Sequence, residues 1–259
     1  MRQAFTRAVS PRLAECELTH LERRPIDLAN AIAQHRAYER VLAAAGFGIT
    51  RLPELADQPD AVFVEDTALL LDGEAVILRP GAAPRAAETE TTAAVLAQHY
   101  PIHRLDRGSV DGGDILRIGS TLYVGRSTRT DADGIGALAD CAGPLGYNVV
   151  SAVLGDCLHL KTGATFAGFD RAGNPVLLYS AASVDPGQFA EVEPLAVDPA
   201  EPGAANCVRA GDSLILAAGN PRTAARLRRR GFAVIEVDIA EFAKAEAGVS
   251  CMSLIDDRL

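Results

Sequence analysis

The sequence contains no run approaching the roughly 18–20 uninterrupted apolar residues of a membrane-spanning helix, so a helical membrane protein is not expected. The opening Met1-Arg2-Gln3-Ala4-Phe5-Thr6-Arg7 has no apolar core of signal-peptide type, which makes the cytoplasm the expected location. Cysteine is sparse and odd in number: Cys16, Cys141, Cys157, Cys207 and Cys251, with no Cys-x-x-Cys pair. Neither a disulfide framework nor a zinc knuckle fits that pattern. Gly112-Gly113 lacks the spacing of a phosphate-binding loop and reads as a tight turn into a strand. Positive charge is in the minority, with 25 Lys and Arg against 34 Asp and Glu. Such a surface repels nucleic acid and anionic lipid and suits a small cationic ligand. The basic cluster at 226–230 ends a helix and reads as a solvated face that complements the helix dipole.

What is present is a globular chain. Of its 259 residues, 48% are hydrophobic, enough for a sizeable core. Short apolar runs recur around tight turns, the pattern of hairpins. Leu69-Leu70-Leu71 turns at Asp72-Gly73, Ile115–Ile118 at Gly119-Ser120, Ala164–Phe166 over 170–174, and Cys207-Val208-Arg209 at Ala210-Gly211. Between them lie helical stretches, Asp27–Ala45, Glu88–Gln98, Asp133–Ala142 and Arg222–Arg230, each followed by an apolar strand. Pro221 before the last of these and Gly231 after it are start and stop signals. The segment Pro186–Pro202 carries four prolines and is expected to be mostly loop.

The unit starts, Asp66, Asp114, His159, Asn206 and Cys251, are 48, 45, 47 and 45 residues apart. That period predicts about five strand–strand–helix–strand units. The last unit lacks its helix, while the N-terminus supplies a strand over Gln3–Val9 and a helix without a hairpin. Joining the two completes a fifth unit and closes a ring, which removes unpaired sheet edges. The unit starts then converge on the axis and bring Glu65, Asp66, Asp111, Asp114, His159, Asn206 and Cys251 together. A thiol, an imidazole and carboxylates at one end of a channel are the components of nucleophilic catalysis. Cys16, Cys141 and Cys157 read as small buried hydrophobes, and Cys207 as a neighbour of the site that does not react. His35, His99 and His103 read as core or surface, and His20 as a lid or solvated residue.

The segments Phe63-Val64-Glu65-Asp66-Thr67, Asp111-Gly112-Gly113-Asp114, Leu158-His159-Leu160-Lys161-Thr162, Ala204-Ala205-Asn206-Cys207 and Gly248-Val249-Ser250-Cys251-Met252-Ser253 resemble the dimethylarginine dimethylaminohydrolase family. The resemblance runs in order over nearly the whole chain. It implies a five-bladed α/β-propeller of ββαβ units around a central channel, the pentein architecture, in a single catalytic domain over residues 1–259. It further implies that Cys251 attacks the guanidinium carbon of a methylated arginine and that His159 acts as acid and base. Asp111 would orient the histidine, although many relatives carry the longer glutamate there.

For the substrate, the resemblance points to Asp66 and Glu65 at the guanidinium, and to Arg85 and Arg129 at the α-carboxylate. Asp60, the backbone of Ala245 and Leu18 in a mobile lid would serve the α-amino end. No cofactor and no metal are implied; a structural zinc would need about four closed ligands, which cannot be assembled at a usual spacing. The implied partner is a small molecule, with a homodimer left open. The alternatives are a relative acting on another guanidine, such as an arginine deiminase or amidinotransferase, and a non-catalytic propeller that binds a protein partner.

Overall fold

The chain begins with β1 (Gln3–Arg7), α1 (Leu28–Ala44) and β2 (Gly48–Leu52), with β1 and β2 parallel. The computed structural model describes residues 2–256. β1 stops at Arg7, two residues short of the run expected from sequence. Ser10 causes the departure: its hydroxyl donates to Ala56 O and accepts from Arg12 N–H, which turns the chain away from the sheet.

Four further units follow: β3 (Ala68–Leu71), β4 (Glu74–Ile77), α2 (Glu88–Leu96) and β5 (Ile102–Arg104); β6 (Ile115–Ile118), β7 (Thr121–Gly125), α3 (Ala132–Ala142) and β8 (Asn148–Ala152); β9 (Ala164–Phe169), β10 (Pro175–Tyr179) and β11 (Glu193–Ala196); β12 (Cys207–Ala210), β13 (Ser213–Ala217), the helix Pro221–Arg230 and β14 (Ala233–Val237). In each, the first pair is an antiparallel hairpin and the third strand runs parallel to the second. Asp72 and Gly73 illustrate the turn chemistry. Both have positive φ (38° and 106°), as a two-residue type I′ loop requires. β15 (Leu254–Asp256) pairs antiparallel with β1, setting Ala4 opposite Ile255, so the fifth sheet takes strands from both chain ends. The five three-stranded sheets form the five-bladed α/β-propeller anticipated above.

Helix boundaries follow local chemistry. Asp27 and Asp131 accept hydrogen bonds from Asn30 N–H and Gly134 N–H, capping α1 and α3. The helix Pro221–Arg230 ends at Gly231 (φ 97°), and its arginines pair with Asp198, Glu236, Asp170 and Glu193. Between Pro186 and Pro202 the expected loop instead holds β11. Pro194 is tolerated because β11 is an edge strand that bonds only to β10.

Short helical turns stand at the unit starts: Asp66, Asp114 and Cys251 lie in the turns Val64–Thr67, Gly112–Asp114 and Ser250–Met252, while His159 immediately precedes the turn Leu160–Gly163 and Asn206 follows the turn Pro202–Ala205. Each sits immediately before the inner strand of a blade, and successive turns pack against one another around the axis. Asn206 closes the circle to the last turn, accepting from Ser250 N–H at 3.0 Å. A helical turn frees backbone N–H groups that a strand would commit to a neighbour, and the buried carboxylates use them. No helix among the described residues is long and apolar enough to cross a membrane.

Candidate active site

Asp111 and His159 immediately precede adjacent turns and meet through Asp111 Oδ2 and His159 Nε2 at 2.9 Å. The aspartate therefore spans the gap despite being shorter than a glutamate. Its second oxygen, Oδ1, accepts Gly81 N–H at 2.8 Å, which fixes the carboxylate plane. Burial alone would lower the pKa of His159, but the charges of Asp66, Asp111 and Asp114 outweigh it and raise the value to about 9. The ring is thus a protonated imidazolium at neutral pH, able to hold a proton for transfer.

Two glycines precede Asp114: a Cβ at Gly112 would fall 2.0 Å from Glu65 O, and Gly113 faces the histidine. A Cβ there would lie 2.6 Å from His159 Nδ1 and 3.2 Å from Asp66 Oδ1, so only glycine lets the ring sit against the turn. Gly113→Ala is accordingly expected to lower kcat by about 10²-fold, a size typical of misplacing a catalytic group. Steady-state kinetics with circular dichroism on the same sample separates that loss from unfolding.

Cys251 lies in the turn Ser250–Met252, its Sγ accepting Gly248 N–H at 3.4 Å. Asn206 builds this turn: its amide donates to Ser250 Oγ (2.9 Å) and Lys161 O (3.0 Å). Burial, followed by the negative charges of Glu65 and Asp66, pushes the Cys251 thiol up to about 12. Gly248 N–H and Lys161 pull the other way and lose. The resting sulfur is a neutral thiol, and Asp66 is the group whose charge bears on both the thiol and the imidazole.

The carboxylates expected near the substrate guanidinium are both buried. Asp66 Oδ1 accepts Gly113 N–H at 2.8 Å and Oδ2 accepts Arg85 at 2.5 Å. Glu65 is engaged on both oxygens, by Lys161 Nζ at 2.5 Å and by Ser250 Oγ–H at 2.7 Å. Glu65, Lys161 and Ser250 also line a cavity of about 1000 Å³ walled by the inner strands. None of Cys251, His159 and Asp66 lines that cavity. Arg85 spends four of its five N–H donors on protein: one on Asp66, two on Glu88 and one on Phe63 O. It braces Asp66 and keeps one donor, where the sequence suggested only a carboxylate binder.

Residues 17–21, the expected lid, are fastened at several points. Asp60 accepts Glu17 N–H (3.1 Å), and Arg129 donates to Thr19 Oγ1 (3.1 Å). Glu246, with φ 58°, gathers three successive lid amides, those of Thr19 (2.9 Å), His20 (2.6 Å) and Leu21. Successive N–H groups converging on one carboxylate form an anion-binding nest. His20 lies in the same segment, and its ring lies 3.4 Å from Asp156. Leu18 packs on the apolar cluster that contains Ala245 and Met252 and that Cys251 also touches. Glu246, Lys161 and Ser250 had no role in the sequence reading. Only Lys161 and Ser250 carried a signal there, as neighbours of His159 and Cys251.

Asp66, Asp111 and His159 can present ligand atoms within 4.8 Å of one another. Those atoms are engaged by Arg85, Gly113 and each other, so a metal ion would have to displace these bonds.

No family model matches the chain. Among curated proteins it is similar to the dimethylarginine dimethylaminohydrolase of Streptomyces coelicolor, with 37% identity over 98% of this chain and 96% of the relative. The same holds for that of Pseudomonas aeruginosa, with 37% identity over 88% of this chain and 89% of the relative. Among solved structures, a cysteine-to-serine variant of the Pseudomonas aeruginosa enzyme complexed with citrulline superposes with a TM-score of 0.90 at 34% identity, covering 98% of both chains. The N-terminal domain of ArgZ shares the fold, with a TM-score of 0.85 at 20% identity over 98% of this chain and 97% of that one. Identity of this extent along nearly the full length, on the same ring of five sheets, places the chain in the dimethylarginine dimethylaminohydrolase family.

Proposed function

We propose that the protein hydrolyses Nω-methylated L-arginine to L-citrulline and methylamine or dimethylamine through a covalent thiouronium on Cys251. The observation that carries this reading is the buried Asp66, whose negative charge bears on both Cys251 and His159. Glu65, Asp66, Asp111 and Asp114 are four buried carboxylates around the site, a setting that favours a cationic substrate, and a guanidinium hydrogen-bonds readily to carboxylate oxygens. Once bound, the cation offsets the charges that hold the thiol neutral, so the thiolate forms where and when substrate is present.

The chemistry then takes two steps. With the cation bound, the Cys251 thiol gives its proton to solvent and Sγ forms a bond to the guanidinium carbon; the bond from that carbon to the methylated nitrogen breaks, and the already protonated His159 supplies the proton that the departing amine carries away. Water next attacks the thiouronium carbon, His159 takes one of its protons, the C–S bond breaks as the C=O of citrulline forms, and the second proton restores the Cys251 thiol as citrulline leaves. Asp111 keeps the ring oriented throughout.

Recognition of the amino-acid end falls to Asp60, Arg129 and the lid. Burial raises the Asp60 carboxyl to about 6, against the pull of Arg85 and Glu17 N–H, so its grip on an ammonium strengthens as pH rises through 6. Arg129 carries more of the α-carboxylate contact than Arg85, which has one donor to give. Because Glu246 holds the lid and not the reacting atoms, Glu246→Ala is expected to raise KM about tenfold and change kcat less than threefold. Initial rates across substrate concentration test this; an unchanged KM would remove Glu246 from lid closure. The five unpaired cysteines accord with a reducing compartment, and we assign the activity to the cytoplasm.

The deciding experiment is release of citrulline and amine from asymmetric dimethylarginine, arginine and agmatine. Turnover of the methylated substrate, weak on arginine, is the expected result. Preferred turnover of arginine would keep the chemistry and change the substrate. No turnover of any of the three by folded protein would reject the proposal.

A further inference from the structure

Asp114 has no part in the reaction as derived above, yet it is fully buried and ionisable. Its Oδ1 accepts the N–H of Leu160, the residue after His159, at 2.9 Å. Its Oδ2 accepts Ser127 Oγ–H at 2.6 Å and Thr130 Oγ1–H at 2.7 Å. Both hydroxyls are shared onward. Thr130 Oγ1 accepts Asp111 N–H at 3.1 Å, and Ser127 Oγ accepts Arg129 N–H at 3.0 Å and Thr130 N–H at 3.2 Å. A second contact joins the same parties. Asp111 holds Gly81 N–H, and Gly81 lies so tightly on Arg129 that an added Cβ would fall 2.3 Å from Arg129 O.

We propose that Asp114 is a positioning residue for the reaction, coupling the His159–Asp111 pair to the loop that carries Arg129. The carboxylate fixes the backbone beside the imidazole, the backbone of its partner Asp111 through Thr130, and the backbone of Arg129 through Ser127. Binding of the substrate's carboxylate end and placement of the proton donor thus share one anchor. The charge also has a purpose that hydrogen bonding alone would not require. Burial pushes the Asp114 carboxyl up, and His159, the two hydroxyls and Leu160 N–H oppose it without fully cancelling it. A buried charge is a poor device for stability alone, but here it faces His159 together with Asp66 and Asp111. Cys157 is the other titratable group on which Asp114 bears.

The inference rests on His159 acting as proton donor, so its test includes a readout independent of turnover. The His159 ring titration is followed by 13C NMR in wild type, Asp114→Asn and Ser127→Ala, with His159→Gln assigning the signal among the five histidines. The pH profiles of kcat and KM are recorded for the same proteins. Asp114→Asn is expected to lower the ring pKa by about one unit or more. It should move the alkaline limb of activity to lower pH, reduce kcat about tenfold and raise KM. Ser127→Ala keeps the charge, so the ring titration stays in place while KM rises about threefold or more. An unmoved titration in Asp114→Asn, or an unchanged KM in Ser127→Ala, overturns the proposal. If Asp114→Asn fails to fold, Thr130→Val decides: kcat and KM both worsening supports the coupling, and either one unchanged overturns it. A wild type that turns over no guanidine substrate would count against the proposed reaction, while the ring titration still judges Asp114.

Discussion

Cys251→Ser is expected to reduce turnover of asymmetric dimethylarginine by about 10³-fold or more while leaving the protein folded. A serine hydroxyl keeps the shape of the turn Ser250–Met252 but cannot be ionised at any accessible pH, so the covalent step is lost. The wild-type thiol makes a second result available from the same experiment. With its pKa pushed to about 12 by burial and by Glu65 and Asp66, free enzyme at pH 8 would need about 5 kcal/mol to form the thiolate. Alkylation by iodoacetamide should therefore be slow near neutrality and rise about tenfold per pH unit, with no plateau below pH 10. A cationic ligand that supplies an unreactive amidinium to Asp66 should bring that rise to lower pH. A plateau near pH 7 in the free enzyme would show instead that the thiolate is the resting form, and substrate-assisted ionisation would be wrong.

The second large effect concerns His159 and Asp111. Asp111→Asn preserves volume but removes the charge-assisted bond to Nε2, and kcat should fall by about 10²-fold or more. The alkaline limb of its pH profile should also move to lower pH. The same ring leaves a mark on stability. The folded value, about 9, lies above the ordinary histidine value of 6.5, so the stabilisation from the imidazolium is fully present below pH 6.5 and is lost as pH rises through 9. That difference is worth on the order of 3 kcal/mol. Asp60, whose carboxyl sits at about 6, titrates below this window. Denaturant unfolding at pH 6.5, 7.5 and 9 should show wild type losing stability across the series, and His159→Gln losing markedly less. Parallel losses in the two proteins would mean that the imidazolium is not the buried cation among these carboxylates.

The sequence was most informative where local chemistry is sufficient. Asp72-Gly73 adopts the positive φ values of a hairpin loop because few other pairs of residues do so cheaply. Asp27 and Asp131 cap helices because a short acceptor reaches the first free amides. The regular spacing of unit starts required a ring, and the pairing of β1 with β15 supplies its closure. Where the reading failed, long-range partners decided. β11 exists because β10 offers it an edge, and nothing within Pro186–Pro202 announces a strand. The helical turns at the unit starts hold their shape through contacts such as Asn206 to Ser250, 44 residues apart.

The site divides along the same line. That Cys251, His159, Asp111 and Asp66 share one end of a ring was determined by the sequence, because their period fixes where each lies in its unit. Only the tertiary structure decided how they are held and charged. Glu65 is spent on Lys161 and Ser250, Arg85 on Asp66 and Glu88, and Glu246 on the lid, and each bond joins residues whose separation no local pattern encodes. The protonation states follow from the same cause. Burial and the field of neighbouring carboxylates set them, and both are properties of the assembled fold and not of any segment of the chain.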